Sequence, residues 1–209
     1  FCHDLDRLKL ADVYIIAVSD KAISELSKQL PFENRLVVHT SGSVAIKQLD
    51  KKHRRGVFYP LQTFSLTSEV AFSDVPFCIE TIQKEDSKFL KTLASEMGSP
   101  SYKINTEQRQ ALHLSAVFIN NFTNQLYRIA HELSDHKNIN FDVLKPLILE
   151  TAKKVQTISP YNAQTGPAKR NDQVTINQHL RTLESHPEYQ SIYELLTKSI
   201  KKTHGFKKL

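Results

Sequence analysis

Glycine is scarce in this chain. Its five glycines, Gly42, Gly56, Gly98, Gly166 and Gly205, are too widely spaced to write G-x-G-x-x-G or a P-loop anywhere, so no pyrophosphate-cradling turn is visible. Cysteine is scarcer still. Cys2 and Cys78 stand far apart with no C-x-x-C and no Cys/His ligand spacing, which argues against a disulfide framework and against a structural zinc site. Tryptophan is absent, and no apolar run approaches the roughly 18 residues that span a bilayer or follows a basic start as a secretory signal does. The expectation is a chain for a reducing cytoplasm, without membrane or metal. The one methionine is Met97 and the chain opens Phe1-Cys2-His3-Asp4, so it reads as a piece of a longer protein.

The 209 residues are 40% hydrophobic and 24% charged, the ordinary globular range for one large or two small domains. The net charge of +6 raises the question of nucleic acid. After Glu194, however, come Lys198, Lys201, Lys202, Lys207 and Lys208 and no acid. Without them the chain is nearly neutral, so the excess is terminal and not a stripe across a face. A nucleic-acid partner is therefore not expected.

Along the chain, Asp12 to Val18 is a β-branched apolar run that reads as a strand buried on both faces. Asp20 follows as the cap of a helix to about Leu30, with Ala22, Ile23 and Leu26 inward and Pro31 as its stop. Further strands are predicted at Arg35 to His39, Gly56 to Tyr59, Val75 to Glu80 and Ser101 to Ile104, with helices at Val44 to Leu49 and Glu85 to Met97. From Glu107 on the period is helical: to about Ser134, then Phe141 to Ile158, Val174 to Leu183 and Pro187 to Lys202. Alternating strand and helix followed by helices alone predicts an α/β sheet domain over 1–105 and an all-helical domain over 106–209.

The first long helix has two faces at about 100° per residue. Leu114, Phe118, Phe122, Leu126 and Ile129 share one side, and His113, Asn120, Asn124, Tyr127 and His131 the other. A polar but uncharged face suits a half-buried cleft or interface with specific partners; a solvated face with satisfied polar groups is the plainer account.

Three loops carry candidate chemistry. His39-Thr40-Ser41-Gly42-Ser43 leaves a buried strand at its carboxyl end, where open α/β sheets bind ligands. Its hydroxyls suit a ribose, a carboxamide or a carbonyl, and His39 suits proton transfer. Equally, Ser43 caps the next helix, Gly42 supplies a positive φ, and His39 is structural. Tyr59-Pro60-Leu61-Gln62-Thr63 ends a strand at the same edge, as a pocket wall with Gln62 and Thr63 as contacts or as an ordinary strand exit. In Gln164-Thr165-Gly166-Pro167-Ala168-Lys169-Arg170-Asn171-Asp172, Gly-Pro sets a turn and Arg170 offers a guanidinium to a carboxylate or phosphate, unless it pairs within the loop. Asp172 can cap the helix that follows.

Together with Tyr14-Ile15-Ile16-Ala17-Val18-Ser19-Asp20, these strings resemble a bacterial family with a Rossmann-like N-terminal domain and a C-terminal helical domain of unknown function. Its relatives by architecture are pyrroline-5-carboxylate reductase, prephenate dehydrogenase and the deazaflavin-dependent NADP reductases. The resemblance covers essentially the whole chain except the family's opening strand, glycine-rich turn and helix, so the sheet is expected to be a partial Rossmann type lacking its first βαβ unit. It implies an NAD(P)-dependent oxidoreductase on a small metabolite, a homodimer through a helical domain like that of 6-phosphogluconate dehydrogenase, and NADP or NAD as cofactor. Ser19, Asp20 and His39 to Ser43 would sit by the cofactor, with His39, His113 and Asn120 as catalytic residues. Gln62 and Thr63 would line the cleft, and Thr165, Gly166, Pro167 and Arg170 would close it. Asn171 stands where the family has glycine, and Asn tolerates the left-handed region. The alternative is a catalytically silent NADP-binding sensor or scaffold with the same fold.

Overall fold

The computed structural model describes residues 4–65 and 69–205 and divides them into two compact units, 1–124 and 125–209. Cys2, Lys207 and Lys208 lie outside the described residues.

The first unit is built on a five-stranded sheet in the order β1 (Val13–Ile16), β2 (Leu36–His39), β3 (Arg54–Pro60), β4 (Phe77–Thr81) and β5 (Ser101–Lys103). β1, β2 and β3 run parallel, β4 runs against β3, and β5 runs parallel to β4. Strand pleating assigns alternate residues to opposite faces. Leu36, Val38, Phe58, Phe77 and Ile79 face Leu90 and Ala94 of α2 (Lys84–Glu96). Val37 and Ile16 face Ile23 of α1 (Asp20–Gln29). On this second face Val57, Tyr59 and Cys78 meet Ile46 and then Leu112 of α3 (Thr106–Ala116). The sheet is thus covered on both sides, each fully buried aliphatic side chain contributing about 1.5–3 kcal/mol.

Several expectations change here. β1 is an edge strand of the described sheet, and Ile15 is 49% exposed, so it is not buried on both faces. The cap of α1 is Ser19, with Asp20 already helical. Val44 to Leu49 forms only a 3-10 turn, Ile46–Gln48. The α/β Rossmann-like fold class itself holds.

The helix expected from Glu107 to Ser134 is interrupted. α3 ends at Ala116, a π-helical segment runs Val117–Phe122, and α4 (Thr123–Asp135) follows. A π segment accommodates extra residues per turn and so breaks the 100° phase on which both predicted faces were drawn. α5 (Lys145–Thr157), the single-turn α6 (Pro160–Ala163), α7 (Gln173–Thr182) and α8 (Pro187–His204) complete the second unit. Within it, Gly166 and Asn171 take φ of 98° and 54°. Asp172 caps α7 by accepting from the Thr175 N–H and hydroxyl. Three of the terminal lysines lie on α8, where Lys201 donates to Gln173. No helix among the described residues is long and apolar enough to cross a membrane.

Candidate active site

β2 and β3 end at the same sheet edge, and register fixes what meets there: His39 lies beside Val57, and Tyr59 stands two residues further on the same face. The loop after His39 folds on itself. The Ser41 N–H donates to His39 Nδ1 (3.2 Å), and the Ser41 hydroxyl oxygen accepts from the N–H groups of Ser43 and Val44 (3.1 and 3.0 Å). The Ser43 hydroxyl donates to Asp20 at the start of α1 (3.1 Å). Ser43 therefore ties the loop sideways and is not a helix cap.

His39 is fully buried. Burial first, and then the Arg109 charge, lower its pKa to about 4 against a small opposing effect of Asp20. Near neutral pH the ring is uncharged, and with Nδ1 accepting from Ser41 the proton is assigned to Nε2. Nε2 is buried with no hydrogen-bond partner among the described residues. It offers a hydrogen bond, not an imidazolium proton.

Sequence reasoning passed over Arg109, whose side chain has no solvent exposure at all. It enters from α3, which Asn105 and Gln108 start with a reciprocal capping box. Its guanidinium donates to the Ser41 carbonyl (3.2 Å), to the Val44 carbonyl and to Glu80 Oε2 (2.6 Å); Glu80 also accepts from Thr106 (2.8 Å). Gln110 adds a bond to the Ser43 carbonyl (2.7 Å). This clasp fixes loop 41–44 against α3, with the Arg109 charge balanced by Glu80 and its Nε and Nη2 each bonded to a backbone carbonyl.

One consequence is the place of Gly42. It takes no positive φ; a Cβ there would lie 2.7 Å from His113 Nδ1 and 2.9 Å from the Tyr59 ring. Glycine is required by that close approach.

Tyr59 Oη lies 3.3 Å from His113 Nδ1. Burial raises the phenol pKa, so it is neutral and able to give a proton. Both side chains border an open cavity of about 480 Å³, with Leu61, Gln62, Thr63, Phe64 and Leu112 on its walls and Ser115 to Val117 and Ile119 to Asn121 from α3 and the π segment. Four expected site residues, Gln62, Thr63, His113 and Asn120, thus border one cavity. Ser19, Asp20 and His39 to Ser43 form the adjoining loop cluster. Thr165, Gly166, Pro167 and Arg170 belong to the second unit, where Arg170 is exposed and no ion pair closes on it among the described residues. Tyr59, Arg109 and Asn121 were missed; only Tyr59, at a strand end beside Gln62, carried a signal.

Residues 75–200 match the family described as Domain of unknown function (DUF2520). The chain belongs to this family. Among solved structures it is 44% identical to a protein from Bacteroides fragilis named a "putative NADP oxidoreductase", covering 96% of this chain and 80% of that one with a TM-score of 0.87. A protein of unstated activity from Thermotoga maritima is 20% identical over 95% of this chain and 80% of that one, TM-score 0.77. An imine reductase from Myxococcus stipitatus in complex with NADP+ is 14% identical over 93% and 76%, TM-score 0.56. The last two show a shared fold alone. No curated protein matches. This DUF2520 chain therefore has the fold of NAD(P)-dependent oxidoreductases.

Proposed function

We propose that this DUF2520 protein is an NAD(P)-dependent oxidoreductase acting on a small molecule at the cavity bordered by Tyr59, His113 and Asn120. The observation that carries the reading is the Tyr59–His113 pair, a neutral phenol against an imidazole beside a cavity at the carboxyl end of parallel strands. Reduction of a C=O or C=N group needs a hydride for carbon and a proton for the heteroatom. When bound, a reduced nicotinamide would supply the hydride. The Tyr59 phenol gives the proton and is reprotonated by way of His113 Nδ1, with Asn120 orienting the acceptor.

The residues present fit the nicotinamide end of the cofactor. His39 Nε2–H is a buried donor without a partner, and the Thr40 and Ser41 to Ser43 loop adds hydroxyls and backbone groups beside it. Asp20 in the first turn of α1 disfavours a phosphate there and suits a hydroxyl or amide donor instead. Ser19 stands next to it as a further hydroxyl. Thr165, Gly166, Pro167 and Arg170 are proposed to close the site in the assembled protein.

The assembly proposed is a homodimer through the helical unit. Val174, Leu195, Leu147 and Leu149 are 80%, 69%, 63% and 55% exposed, large apolar side chains that association through this unit would cover. Sedimentation equilibrium is expected to give the mass of two chains; a monomer at all concentrations contradicts this. Titration with NADPH and NADH is expected to show binding of at least one at tens of micromolar, followed by oxidation of the bound cofactor on a panel of ketones and imines. Failure of both to bind removes the oxidoreductase reading, and binding without turnover on any panel member favours the sensor reading.

A further inference from the structure

Thirteen of the described residues border the Tyr59–His113 cavity, and none of them is Asp, Glu, Lys or Arg. This neutrality is local. Within the same unit Arg109 and Glu80 balance each other's charge in the buried clasp, and Arg109 Nε and Nη2 each donate to a backbone carbonyl. The cation nearest in sequence to His113 is thus withdrawn from ligand binding.

What the cavity does present is carboxamide and hydroxyl. Asn120 and Asn121 occupy consecutive positions in the π segment, and both border the cavity. The wider π turn brings them there, and its cost is reduced because the Thr123 hydroxyl donates to the Phe118 carbonyl five residues back (3.2 Å). Neither asparagine side chain bonds another described residue, so each brings a free donor and a free acceptor. Gln62 borders the same cavity, its carbonyl accepting from the Thr63 N–H (2.9 Å) and its NH2 bonding no other described residue. Leu61, Phe64, Leu112, Val117 and Ile119 supply apolar wall between them.

We propose, resting on the oxidoreductase reading, that the substrate is an uncharged carbonyl or imine compound that also bears an amide, ester or hydroxyl group. Its reacting oxygen or nitrogen sits at Tyr59–His113, and its second polar group is held by Asn120, Asn121 and Gln62. A free carboxylate or phosphate finds no countercharge on these walls and gives up hydration on entering, whereas an amide exchanges its bonds to water for bonds to carboxamides. The cavity is thereby selective against the amino-acid and keto-acid substrates that a cationic site would take.

The test uses the whole protein and matched probes that differ only in charge: cyclopentanecarboxamide with cyclopentanecarboxylate, and methyl pyruvate with pyruvate. NMR of the Asn and Gln side-chain NH2 groups follows binding without any need for turnover. The neutral member of each pair is expected to shift the Asn120 and Asn121 resonances and to bind at least tenfold more tightly, with the preference lost in Asn120→Leu/Asn121→Leu. Acids that bind as well as or better than their neutral partners overturn the proposal, as does binding of acid that disappears in Arg170→Ala, and so does absence of binding by either member. NADPH titration runs separately. A neutral preference without NADPH binding removes the oxidoreductase reading and leaves the charge selectivity standing, while NADPH binding with acid preference does the reverse.

Discussion

The two units bury their apolar residues to very different extents. In the first, β2, β3, β4 and their helices form three buried clusters, with Val37, Val38, Val57, Val75, Ile79 and Leu90 fully enclosed. In the second, among described residues, only Ile129, Ala168, Ile176 and Leu183 are buried hydrophobics, while leucines and valines of α5, α7 and α8 stand in solvent. One unit is folded around itself. The other leaves apolar side chains on its surface, and on the proposed homodimer its stability would depend on association and hence on concentration.

Replacing Arg109 by Ala strikes the first unit hardest, because it leaves Glu80 without its cation and the Ser41 and Val44 carbonyls without their donor. A loss of about 3–5 kcal/mol is expected in urea unfolding. Leu90→Ala, in the α2 face of the core, is expected to cost about 2–5 kcal/mol regardless of protein concentration. Leu147→Ser on α5 sharpens the contrast: its effect on the isolated chain should stay within about 0.5 kcal/mol, but it should shift sedimentation toward monomer. If Leu90→Ala shows concentration dependence and Leu147→Ser does not, the two units have been told apart wrongly.

Gly42→Ala forces a Cβ into His113 and Tyr59 and is expected to cost about 1–3 kcal/mol while distorting the cavity, seen as loss of the Tyr59–His113 contact in a crystal structure. A further expectation concerns pH. His39 is folded with a pKa of about 4 against 6.5 when free, so the unfolded chain takes up the proton first. Its contribution is complete above pH 6.5 and is lost as pH falls toward 4. His39→Gln should flatten the stability profile in that window, as measured by thermal unfolding across pH.

How far the sequence discloses this molecule depends on where the controlling partner lies. Leu36-Val37-Val38 reads as a buried strand because consecutive apolar residues leave neither face polar. The run Val13 to Ile16 reads the same way, but among the described residues it has β2 as its one strand neighbour and Ile15 is 49% exposed. The reversal between β3 and β4 is equally silent, because alternation of side chains is the same in both directions. At the site, Gln62, Thr63, His113 and Asn120 were legible as polar residues at strand ends or on an uncharged helix face. Arg109 was not, because a lone arginine on a helix normally signals solvent, and its acceptors lie far away in sequence at Ser41, Val44 and Glu80. The π segment left no mark in Val-Phe-Ile-Asn-Asn-Phe, so a regular 100° spacing does not disclose that Asn121 borders the same cavity as Asn120.

Hydrogen–deuterium exchange with and without NADPH tests the central claim most directly, since it locates the ligand on the chain. The account expects protection at 36–44, at 59–64 and at 113–121. Protection confined to residues 125–205, or none anywhere at saturating NADPH, would contradict it.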